Sequence, residues 1–515
     1  MLSFFVVALC SWGLQPPVAL AQAGDTPAEA GAEAWDWRAL LISGGGVPSS
    51  NAVAHEKNLR FVDHVLRQRG LAPSAIQTFV SVGAERLPDT AYLGDFPSER
   101  WELVVLSRLF GGAATLGLRY RPHEIPDPAG SGRKPDVMKG IRESVAALKS
   151  EQTLFIYTTD HGVPDTRREG ESALVLWGDE TLSTQELRSL LDAGSQTGAV
   201  VLHMTQCFSG GFAHTIFAHG TTAVTEQNRC GFFSTLPDRI ATGCTPELNE
   251  ADYDDYTTRF FAALAGRDRV GRPVPSADYN GDGRVSLAEA HAYAVGTQDT
   301  VDVPMKTSEF YLERIGIRPS ATWKEALTAA TPDERAAWRL LSEQLDIEEG
   351  DPSARIGEEQ QRIERQRRQW HAQLRQREPA AAEAASQLRV ALLERWPVLE
   401  TPFHPDFAST LLSEGEAIRS FLSGAPAFAA WQRALGEMSG LHARLGDAEL
   451  EEAWWLRAER HVAHLRRVAQ LSLDHEAAVT SAEPGGERDL SSSGPSASWA
   501  ALERLRTCEA EVPEP

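Results

Sequence analysis

Two short stretches end in residues that together could perform covalent catalysis. Residues 154–162 (LFIYTTDHG) form an apolar run that ends in His161 and Gly162, and residues 200–211 (VVLHMTQCFSGG) form a second run that leads to Cys207. A thiol becomes a strong nucleophile as its thiolate, and a nearby imidazole can take its proton and later give it to a leaving amine. These residue types indicate acyl transfer, with Cys207 as nucleophile and His161 as general base and acid.

Both stretches have the composition of buried parallel strands. They are rich in apolar, β-branched and aromatic residues, and each is broken by a small-residue turn. Between them, residues 183–193 predict a helix with a capping box formed by Ser183 and Glu186. A strand–helix–strand succession requires a right-handed crossover, which predicts a parallel sheet with helices on both faces. Ligands bind at the carboxyl ends of such strands, where His161 and Cys207 fall.

The two blocks resemble those of the caspase-like cysteine peptidases. The sequence DHG at 160–162, followed by CFSG at 207–210, is closest to the legumain and metacaspase branches, and the resemblance covers residues from about 40 to 317. It implies a caspase-like, mostly parallel sheet and an endopeptidase that forms a thioester on Cys207. In this mechanism the backbone N–H groups of Gly162 and Cys207 would stabilise the oxyanion.

A glycine-rich loop follows the first predicted strand, at residues 37–43. Its sequence, SGGGVPSSN at 43–51, fits neither GxGxxG nor GxxxxGK[ST], and no basic residue completes a phosphate site, which disfavours nucleotide binding. In legumain-like enzymes this loop holds a polar residue near the catalytic histidine. Asn51 and His55 resemble that block, although the spacing differs by one residue. The alternative for Asn51 is a helix cap.

The resemblance also implies a pocket for the residue that precedes the cleaved bond. Residues 223–228 (AVTEQN) resemble the strand that lines this pocket in the family, which would contribute Thr225 and Glu226. Legumain carries a glutamate where this chain has Thr205, so the resemblance does not extend to asparagine specificity. Glu226 and Asp160 would favour arginine or lysine at this position, unless they are ordinary surface carboxylates.

Three other histidines lie near Cys207 in the sequence, namely His203, His214 and His219. His203 falls inside an apolar strand, which is typical of a hydrogen-bonded core residue. The other two lie on or after a predicted helix, and none of the three has the spacing of a zinc ligand pair. These residues are therefore weaker candidates than His161 for both catalysis and metal binding.

Residues 278–289 match the loop of an EF-hand calcium site. The loop positions 1, 3, 5, 6, 7, 9 and 12 are occupied by Asp278, Asn280, Asp282, Gly283, Arg284 (through its backbone carbonyl), Ser286 and Glu289. This match predicts a Ca²⁺ site, structural or of modest affinity, with a dissociation constant of roughly 10⁻⁴–10⁻³ M, as in extracellular modules. The alternative is an ordinary turn followed by a helix capping box.

The composition limits which class of protein this chain can be and which partners it can bind. A chain of 515 residues, of which 42% are hydrophobic, is long and apolar enough to form two or three domains, each with its own hydrophobic core. The net charge of −22 disfavours nucleic acid and anionic membranes as partners. Residues 1–23 predict a secretory signal peptide, although no lysine or arginine precedes their apolar core, and no later run could span a bilayer. These features predict an exported protein, secreted or periplasmic, that acts on a protein or peptide substrate.

The 5 cysteines are too few for a scaffold built on disulfides. In an oxidising compartment Cys230 and Cys244 could pair across a short loop, with free thiols as the alternative. Cys508 lies in the tail, where the sequence assigns it no role.

The chain divides into several predicted segments. A linker at 24–35 precedes the caspase/legumain-like domain at 36–318, in which residues 309–315 predict a closing strand. An all-α domain follows at 320–475, with helices predicted at 380–395, 407–422, 427–445 and 448–471, and residues 476–515 predict a mostly disordered tail. Legumain has a helical C-terminal prodomain that covers its active site, so a regulatory role is implied here by position only. The alternative is a bundle that binds a partner or recruits substrate.

The leading hypothesis is an exported cysteine endopeptidase with an accessory calcium loop and a helical C-terminal domain. One alternative is a catalytically inactive caspase-like protein that serves as a binding or scaffold protein. Another is a transpeptidase, because an amine can open the thioester in place of water. A pure calcium-binding adhesion module is disfavoured, since one loop does not account for an α/β domain of this size.

Overall fold

The computed structural model describes residues 37–94, 101–111, 117–194, 197–218, 221–481 and 494–513. The predicted signal peptide (1–23) and linker (24–35) lie outside the described residues. No helix within the described ranges is both long enough and apolar enough to cross a lipid bilayer.

A six-stranded, mostly parallel sheet forms the centre of the first part of the chain. The described strands are, in chain order, β1 (Trp37–Ser43), β2 (Ile76–Val80), β3 (Thr90–Leu93), β4 (Leu118–Arg121), β5 (Thr153–Thr158), β6 (Gly162–Pro164), β7 (Ser172–Leu176), β8 (Glu180–Ser183), β9 (Ala199–Met204), β10 (Arg229–Phe233) and β11 (Met305–Lys306). The central sheet has the order β11-β10-β9-β5-β1-β2, and only β11 runs antiparallel to its neighbour. A two-stranded antiparallel β3–β4 sheet and a β6–β7–β8 sheet are separate from it.

Helices cover both faces of this sheet and make up the C-terminal region. In chain order they are α1 (Val53–Gln68), α2 (Trp101–Phe110), α3 (Lys134–Ala146), α4 (Thr184–Asp192), α5 (Tyr256–Ala265), α6 (Leu287–Thr297), α7 (Thr307–Arg314), α8 (Trp323–Ala329), α9 (Pro332–Gln344), α10 (Ser353–Arg395), α11 (Phe407–Gly424), α12 (Pro426–Ser481) and α13 (Pro495–Glu509). The predicted α/β class with a helical C-terminal region is confirmed. Helix α4 begins with the predicted capping box of Ser183 and Glu186.

Alternate residues of the strands face two different hydrophobic cores. In β1, Leu40 and Ile42 pack with α3, α4, α7 and α13 on one face, whereas Ala39 and Leu41 pack with α1, α5 and α6 on the other. All six residues of β5 and all six of β9 are buried. The continuous apolar runs in the sequence follow from this, because a strand that is covered on both faces has no polar side.

The strand order places a topological switch point at the carboxyl ends of β1 and β5. β1 pairs with β2 on one side and with β5 on the other. The connection from β1 to β2 passes through α1 on one face, and the connection from β2 to β5 passes through α3 on the opposite face. Open α/β sheets bind ligands at such a switch point, because the loops diverge there and leave space between them.

The predicted closing strand at 309–315 is wrong. These residues belong to helix α7, and the antiparallel strand that ends the sheet is the two-residue β11 just before it. Phe310, Tyr311 and Leu312 are all buried from the helix. Short apolar runs do not distinguish a helix from a strand by their period, which explains the error.

The C-terminal region is dominated by two long helices that run antiparallel to each other. α10 has 43 residues and α12 has 56, so the helices predicted at 380–395, 427–445 and 448–471 lie within longer ones. Ion pairs cross the seam, including Arg362–Glu451 and Arg377–Glu437. The predicted break between the helices ending at residue 445 and beginning at residue 448 is absent. A glycine such as Gly446 lowers helix stability by only about 1 kcal/mol. The burial of Leu445 and Ala448 on either side of it offsets this cost.

Much of the tail that was predicted to be disordered is helical. α12 continues to Ser481, and α13 packs its buried residues Leu502 and Leu505 into one of the two cores of the sheet. The carboxylate of Glu509 is buried and accepts hydrogen bonds from Thr307 and Ser308. α13 therefore belongs to the core of the α/β part of the chain.

The disulfide joins Cys230 to Cys508, with a Cα–Cα distance of 5.9 Å, so the predicted pairing of Cys230 with Cys244 is wrong. Cys230 is the second residue of β10, whereas Cys244 follows the carboxyl end of that strand. The three residues from Cys230 to the strand end extend about 10 Å. Bridged cysteines have Cα atoms less than about 7 Å apart, so β10 itself separates the two thiols.

Candidate functional site

His161 and Cys207 lie at the same edge of the central sheet. β5 and β9 are parallel neighbours, and Thr158 pairs with Met204 at their carboxyl ends. A Cβ atom added to Gly162 would lie only 2.0 Å from the carbonyl oxygen of Cys207. Only a glycine allows so close an approach, so the structure brings the two predicted residues together through contact between their loops.

The His161 imidazole is oriented by the loop that follows β1. Its Nε2 lies 2.8 Å from the carbonyl oxygen of Ser50 and donates a hydrogen bond to it. Nδ1 therefore keeps its lone pair, and it lies 3.6 Å from Sγ of Cys244. Within the described part of the chain, Ser50 and Cys244 are the hydrogen-bond partners of the ring, and Cys207 is not.

Asp160, which was considered as part of an acidic substrate pocket, instead joins two loops beneath the site. Its two carboxylate oxygens each accept a hydrogen bond from the N–H of Gly45 at 3.0 Å, and one also accepts from the N–H of His161 at 2.7 Å. Burial raises the pKa of Asp160 to about 7, although these backbone donors oppose the shift. The side chain is 3% exposed, so Asp160 holds His161 in place and does not face a substrate.

The Cys207 thiol is half-buried and is held by the loop at 239–244. The N–H of Ala241 donates to Sγ at 3.2 Å, and the thiol lies 3.7 Å from the carbonyl oxygen of the same residue. Burial raises the pKa of the Cys207 thiol, and the nearby Asp302 raises it further, whereas the Ala241 N–H lowers it. Phe208 adopts a left-handed backbone conformation with φ of 59° directly after the thiol. Strained residues of this kind cluster at functional sites.

Cys244 is the residue of the site that the sequence analysis missed. Its sulfur lies 3.4 Å from Nε2 of His55 and 3.6 Å from Nδ1 of His161, whose rings are 5.3 Å apart and edge to face. Although Cys244 is exposed as a residue, desolvation of its sulfur raises the pKa of the thiol well above the ordinary value. The only sequence signal was its position after β10, the strand next to that of Cys207.

His55 belongs to the site, whereas Asn51 supports the loop behind it. His55 lies in the first turn of α1, and burial, together with the neighbouring His161, lowers the pKa of His55 to about 3, so its ring is neutral. Asn51 is buried, and its Nδ2 donates to the carbonyl oxygen of Asp89 at 2.8 Å. The residue at the cap position of α1 is Ala52, so Asn51 is not a helix cap.

Of the other predicted substrate-binding residues, Thr205 lies at the site, in the lining of a small cavity with His55 and Cys244, whereas Thr225 and Glu226 do not. Thr205 is near it but buried, and its hydroxyl donates to the carbonyl oxygen of Thr158 at 2.9 Å. Thr225 and Glu226 precede β10, which begins at Arg229, so they lie at the opposite edge of the sheet from Cys207. A strand of five residues spans about 17 Å, and this distance removes Thr225 and Glu226 from a pocket around the thiol.

Of the three other histidines near Cys207 in the sequence, His203 and His214 pack against aromatic side chains. His203 in β9 is fully buried between Tyr256, at a ring distance of 5.1 Å, and Phe260, at 4.4 Å. Burial lowers the pKa of His203 to about 3. The expected core position is correct, but the expected hydrogen bonding is wrong, because neither ring nitrogen has a hydrogen-bond partner among the described residues. His214 packs against Phe310 at 4.8 Å, and His219 lies outside the described residues.

The predicted calcium loop has the backbone conformation that such a loop needs. Gly281 and Gly283 have φ values of 77° and 84°, which permit the sharp turn, and Asp278 accepts hydrogen bonds from three backbone N–H groups of the turn. Ser286 and Glu289 form the capping box that was the alternative prediction, and Glu289 Oε1 also accepts from the N–H groups of residues 279 and 280. The donor set of carboxylate, amide, hydroxyl and carbonyl oxygens suits Ca²⁺, so the residues present fit the ion by donor type and loop conformation.

The helical region supports the loop that holds Cys207. The buried guanidinium of Arg457 in α12 donates to the backbone carbonyls of Gln298, Thr300 and Asp302. The carboxylate of Asp302 accepts from the N–H of Thr242 at 2.6 Å and from its hydroxyl at 2.8 Å. Thr242 directly follows the residue that binds the Cys207 sulfur, so a short chain of contacts links α12 to the thiol.

No protein-family model and no curated protein matches this sequence. Among solved structures, the crystal structure of protein GSU0716 from Geobacter sulfurreducens is similar with a TM-score of 0.32 and 13% sequence identity, over 53% of this chain and 92% of that chain. A similarity at this level carries no argument about fold or function.

Proposed function

We propose that this chain is an exported cysteine endopeptidase of the caspase-like kind, with Cys207 as nucleophile and His161 as proton carrier. The observation that carries the proposal is the contact between the two loops, in which Gly162 packs against the carbonyl of Cys207. The location at the carboxyl ends of parallel strands, beside the switch point of the sheet, supports it. The carbonyl of Ser50 provides the third element, because it holds the imidazole in the tautomer that can accept a proton at Nδ1.

The reaction follows from these roles. The Cys207 thiol, whose raised pKa keeps it protonated, gives its proton to Nδ1 of His161 as its sulfur attacks the carbonyl carbon of the peptide. The imidazolium then protonates the leaving amine, and a thioester remains on Cys207. His161 next takes a proton from water as the water oxygen attacks the thioester carbonyl. The C–S bond then breaks, His161 returns the proton to the Cys207 sulfur, and the carboxylic acid is released. The N–H groups of Gly162 and Cys207 would stabilise the oxyanion in both steps, and one such donor contributes about 10²–10³ in rate.

One observation favours the alternative of a binding protein without turnover. The Cys207 sulfur contacts Ala241, whereas Nδ1 of His161 faces Cys244. Proton transfer therefore requires the thiol to leave Ala241 and approach His161. Catalytic hydrogen bonds often form only when substrate is bound, which is why the endopeptidase remains the leading proposal.

The proposal is tested by screening a library of fluorogenic peptides with the purified protein. We expect cleavage that falls by about 10⁴–10⁶ in Cys207→Ala and in His161→Ala. His64→Ala is the matched control, since His64 is exposed on α1 and should leave the rate unchanged. Cleavage that survives in Cys207→Ala, or a folded protein that cleaves no peptide in the library, contradicts the proposal.

A peptide carrying an electrophile distinguishes the two thiols of the site. Mass spectrometry should find the peptide probe on Cys207 and not on Cys244, because the proposed mechanism assigns attack on the bound peptide to the Cys207 sulfur. Attachment to Cys244 would transfer the role of nucleophile to it. Product masses measured with an added amine separate hydrolysis from transpeptidation.

The helical region is proposed to regulate the site through the contacts of Arg457. Its three hydrogen bonds shape the segment that ends in Asp302, and Asp302 in turn holds the residue next to Ala241. A displacement of α12 would therefore move the backbone that binds the Cys207 sulfur.

The loop at 278–289 is proposed to bind Ca²⁺ through the residues of its EF-hand pattern. When bound, the ion would neutralise the carboxylates of Asp278, Asp282 and Glu289 and tie the turn to the first residues of α6. Since α6 packs in the core beneath the sheet, we expect the ion to act on stability and not on the reaction itself.

A further inference from the structure

Three side chains with nitrogen and sulfur donors meet beside Cys207, namely His55, His161 and Cys244. Their donor atoms all lie within 4.8 Å of one another, and no other group of three or more His, Cys, Asp or Glu side chains in the described ranges is so compact. The Cys244 sulfur lies between the two imidazoles, at 3.4 Å from His55 Nε2 and 3.6 Å from His161 Nδ1. The endopeptidase proposal gives no role to this thiol.

The separations match those of a tetrahedral metal site. Zinc binds thiolate sulfur at about 2.3 Å and imidazole nitrogen at about 2.0–2.1 Å, so tetrahedral angles place sulfur and nitrogen about 3.6 Å apart. The two observed sulfur–nitrogen distances of 3.4 and 3.6 Å agree with this value. Both sulfur–nitrogen pairs are therefore spaced for coordination, and the two nitrogens lie within 4.8 Å of each other.

The surroundings of the two imidazoles also favour coordination. The hydrogen bond from Nε2 of His161 to the Ser50 carbonyl leaves the Nδ1 lone pair directed to the cluster, which is the usual outer-shell arrangement of a metal-binding histidine. His55 is fully buried, its Nδ1 has no hydrogen-bond partner in the described part of the chain, and its Nε2 points to the sulfur. A metal bond would use the lone pair of Nε2, which is the ring nitrogen that faces the cluster.

The loop that carries Cys244 is held on both sides. The carbonyl of Thr245 accepts a hydrogen bond from the N–H of Ala54, one residue before His55, and Thr242 is held by the buried carboxylate of Asp302. Asp160 and Asp255, which are also buried, lie near the sulfur. These carboxylates make the surroundings of the cluster favourable to a cation.

We propose that His55, His161 and Cys244 form a binding site for Zn²⁺ or a similar thiophilic divalent ion. Two imidazoles and one thiol suit zinc, whereas calcium and magnesium prefer oxygen donors. Binding forms one sulfur–metal and two nitrogen–metal bonds and releases the thiol proton of Cys244 to solvent. Three protein ligands leave a fourth position for water or another group.

If the chain is the proposed peptidase, the bound metal would also inhibit peptide cleavage. This inhibition rests on the peptidase proposal, whereas metal binding itself does not. The ion would occupy the lone pair of His161 Nδ1, to which the Cys207 proton must pass. The metal-bound protein would therefore be inactive, and a chelator would activate it.

Cobalt provides a direct test, because Co²⁺ takes zinc sites and its bond to a thiolate absorbs light. The full chain, freed of metal with a chelator and kept with its disulfide intact, is titrated with Co²⁺ alone. We expect one equivalent to produce a thiolate-to-cobalt charge-transfer band and the visible bands of tetrahedral cobalt, and Zn²⁺ to displace them. The absence of a charge-transfer band overturns the proposal, whatever the peptidase assays show.

Variants assign the ligands. Cys244→Ser should abolish the charge-transfer band, and His55→Gln should weaken Co²⁺ binding by more than the 10–100-fold typical of an outer-shell change. Cys207→Ala is the control and should keep the full spectrum, because Cys207 is not in the cluster. A band that persists in Cys244→Ser but disappears in Cys207→Ala would place the metal on the other thiol and contradict the assignment.

Alkylation of Cys244 tests the metal site in the unaltered protein, so this test does not depend on whether a variant folds. Zn²⁺ should slow alkylation of Cys244 by iodoacetamide at least 10-fold, as mapped by mass spectrometry. Equal alkylation of Cys244 with and without Zn²⁺ would overturn the proposal even if Zn²⁺ suppressed peptide cleavage, since cleavage could then be lost through Cys207.

Discussion

Replacement of Gly162 by alanine tests whether the His161 and Cys207 loops must touch for the site to work. A Cβ atom here would lie 2.0 Å from the carbonyl oxygen of Cys207 and 2.8 Å from Cγ of Gln206, whereas real Cβ atoms essentially never approach closer than 3.0 Å. The Cys207 carbonyl must therefore move by about 1 Å, and a displacement of about 1 Å can lower a catalytic rate by about 10²-fold. We expect kcat/KM to fall by about that factor.

The same substitution should also lower stability, because extra atoms in a packed site cost about 1–3 kcal/mol. Three measurements check the reasoning: kcat/KM on the best peptide, the rate of alkylation of Cys207, and the melting temperature. The alkylation rate reports the position of the thiol whether or not the protein is a peptidase.

Gly436→Ala is the matched control for this substitution. Gly436 lies within α12, and an added Cβ would meet no atom within 4 Å. It should raise stability by up to about 1 kcal/mol, as is usual for glycine to alanine in a helix, and leave the site unchanged. If Gly162→Ala matches the parent protein in all three measurements, the contact is not required and the reasoning fails.

Four further predictions follow from the structure. Cys508→Ser should lower the free energy of unfolding in urea by about 2–5 kcal/mol, and a reductant should then have no further effect. Arg457→Met should cost about 3 kcal/mol, roughly 1 kcal/mol for each lost hydrogen bond, and should change the alkylation rate of Cys207; an unchanged rate would separate α12 from the site. Because burial raises the pKa of Asp160 from 3.8 to about 7, the folded state holds this proton more tightly, so the stability of the parent protein relative to Asp160→Asn should fall as the pH rises from about 4 to about 7. Ca²⁺ added to the metal-free protein should raise the melting temperature of the parent protein but not that of Asp278→Ala, and equal melting of the parent with and without Ca²⁺ would show that the loop does not bind calcium.

The elements that carry the site were predictable because their signals are local. The runs that became β5 and β9 are continuously apolar since both faces of these strands are covered. The start of α4 was visible in two residues, Ser183 and Glu186, that satisfy backbone donors only three positions apart. From these elements, the rule for parallel crossovers was enough to bring His161 and Cys207 to one edge of a sheet.

Predictions that depended on distant pairing failed. Cys230 was paired with the cysteine nearest in sequence, but the sheet places a strand between them and brings Cys508 alongside from the far end of the chain. Thr225 and Glu226 were assigned to the substrate pocket because the start of β10 was predicted six residues too early. A shift along the chain of that size moves a residue to the opposite edge of the sheet.

By itself, the sequence determined that this is an α/β protein with buried parallel strands, that a cysteine and a histidine follow two of those strands, and that a helical region comes after them. Patterns of apolar residues, caps and turns encode these features, and each depends on neighbours within a few positions. Only the tertiary structure decided that Cys244 lies between His55 and His161, that Arg457 reaches the loop behind Cys207, and that α13 completes the core. These contacts join residues far apart in the chain, and their geometry depends on strand order, register and packing, which no local pattern specifies.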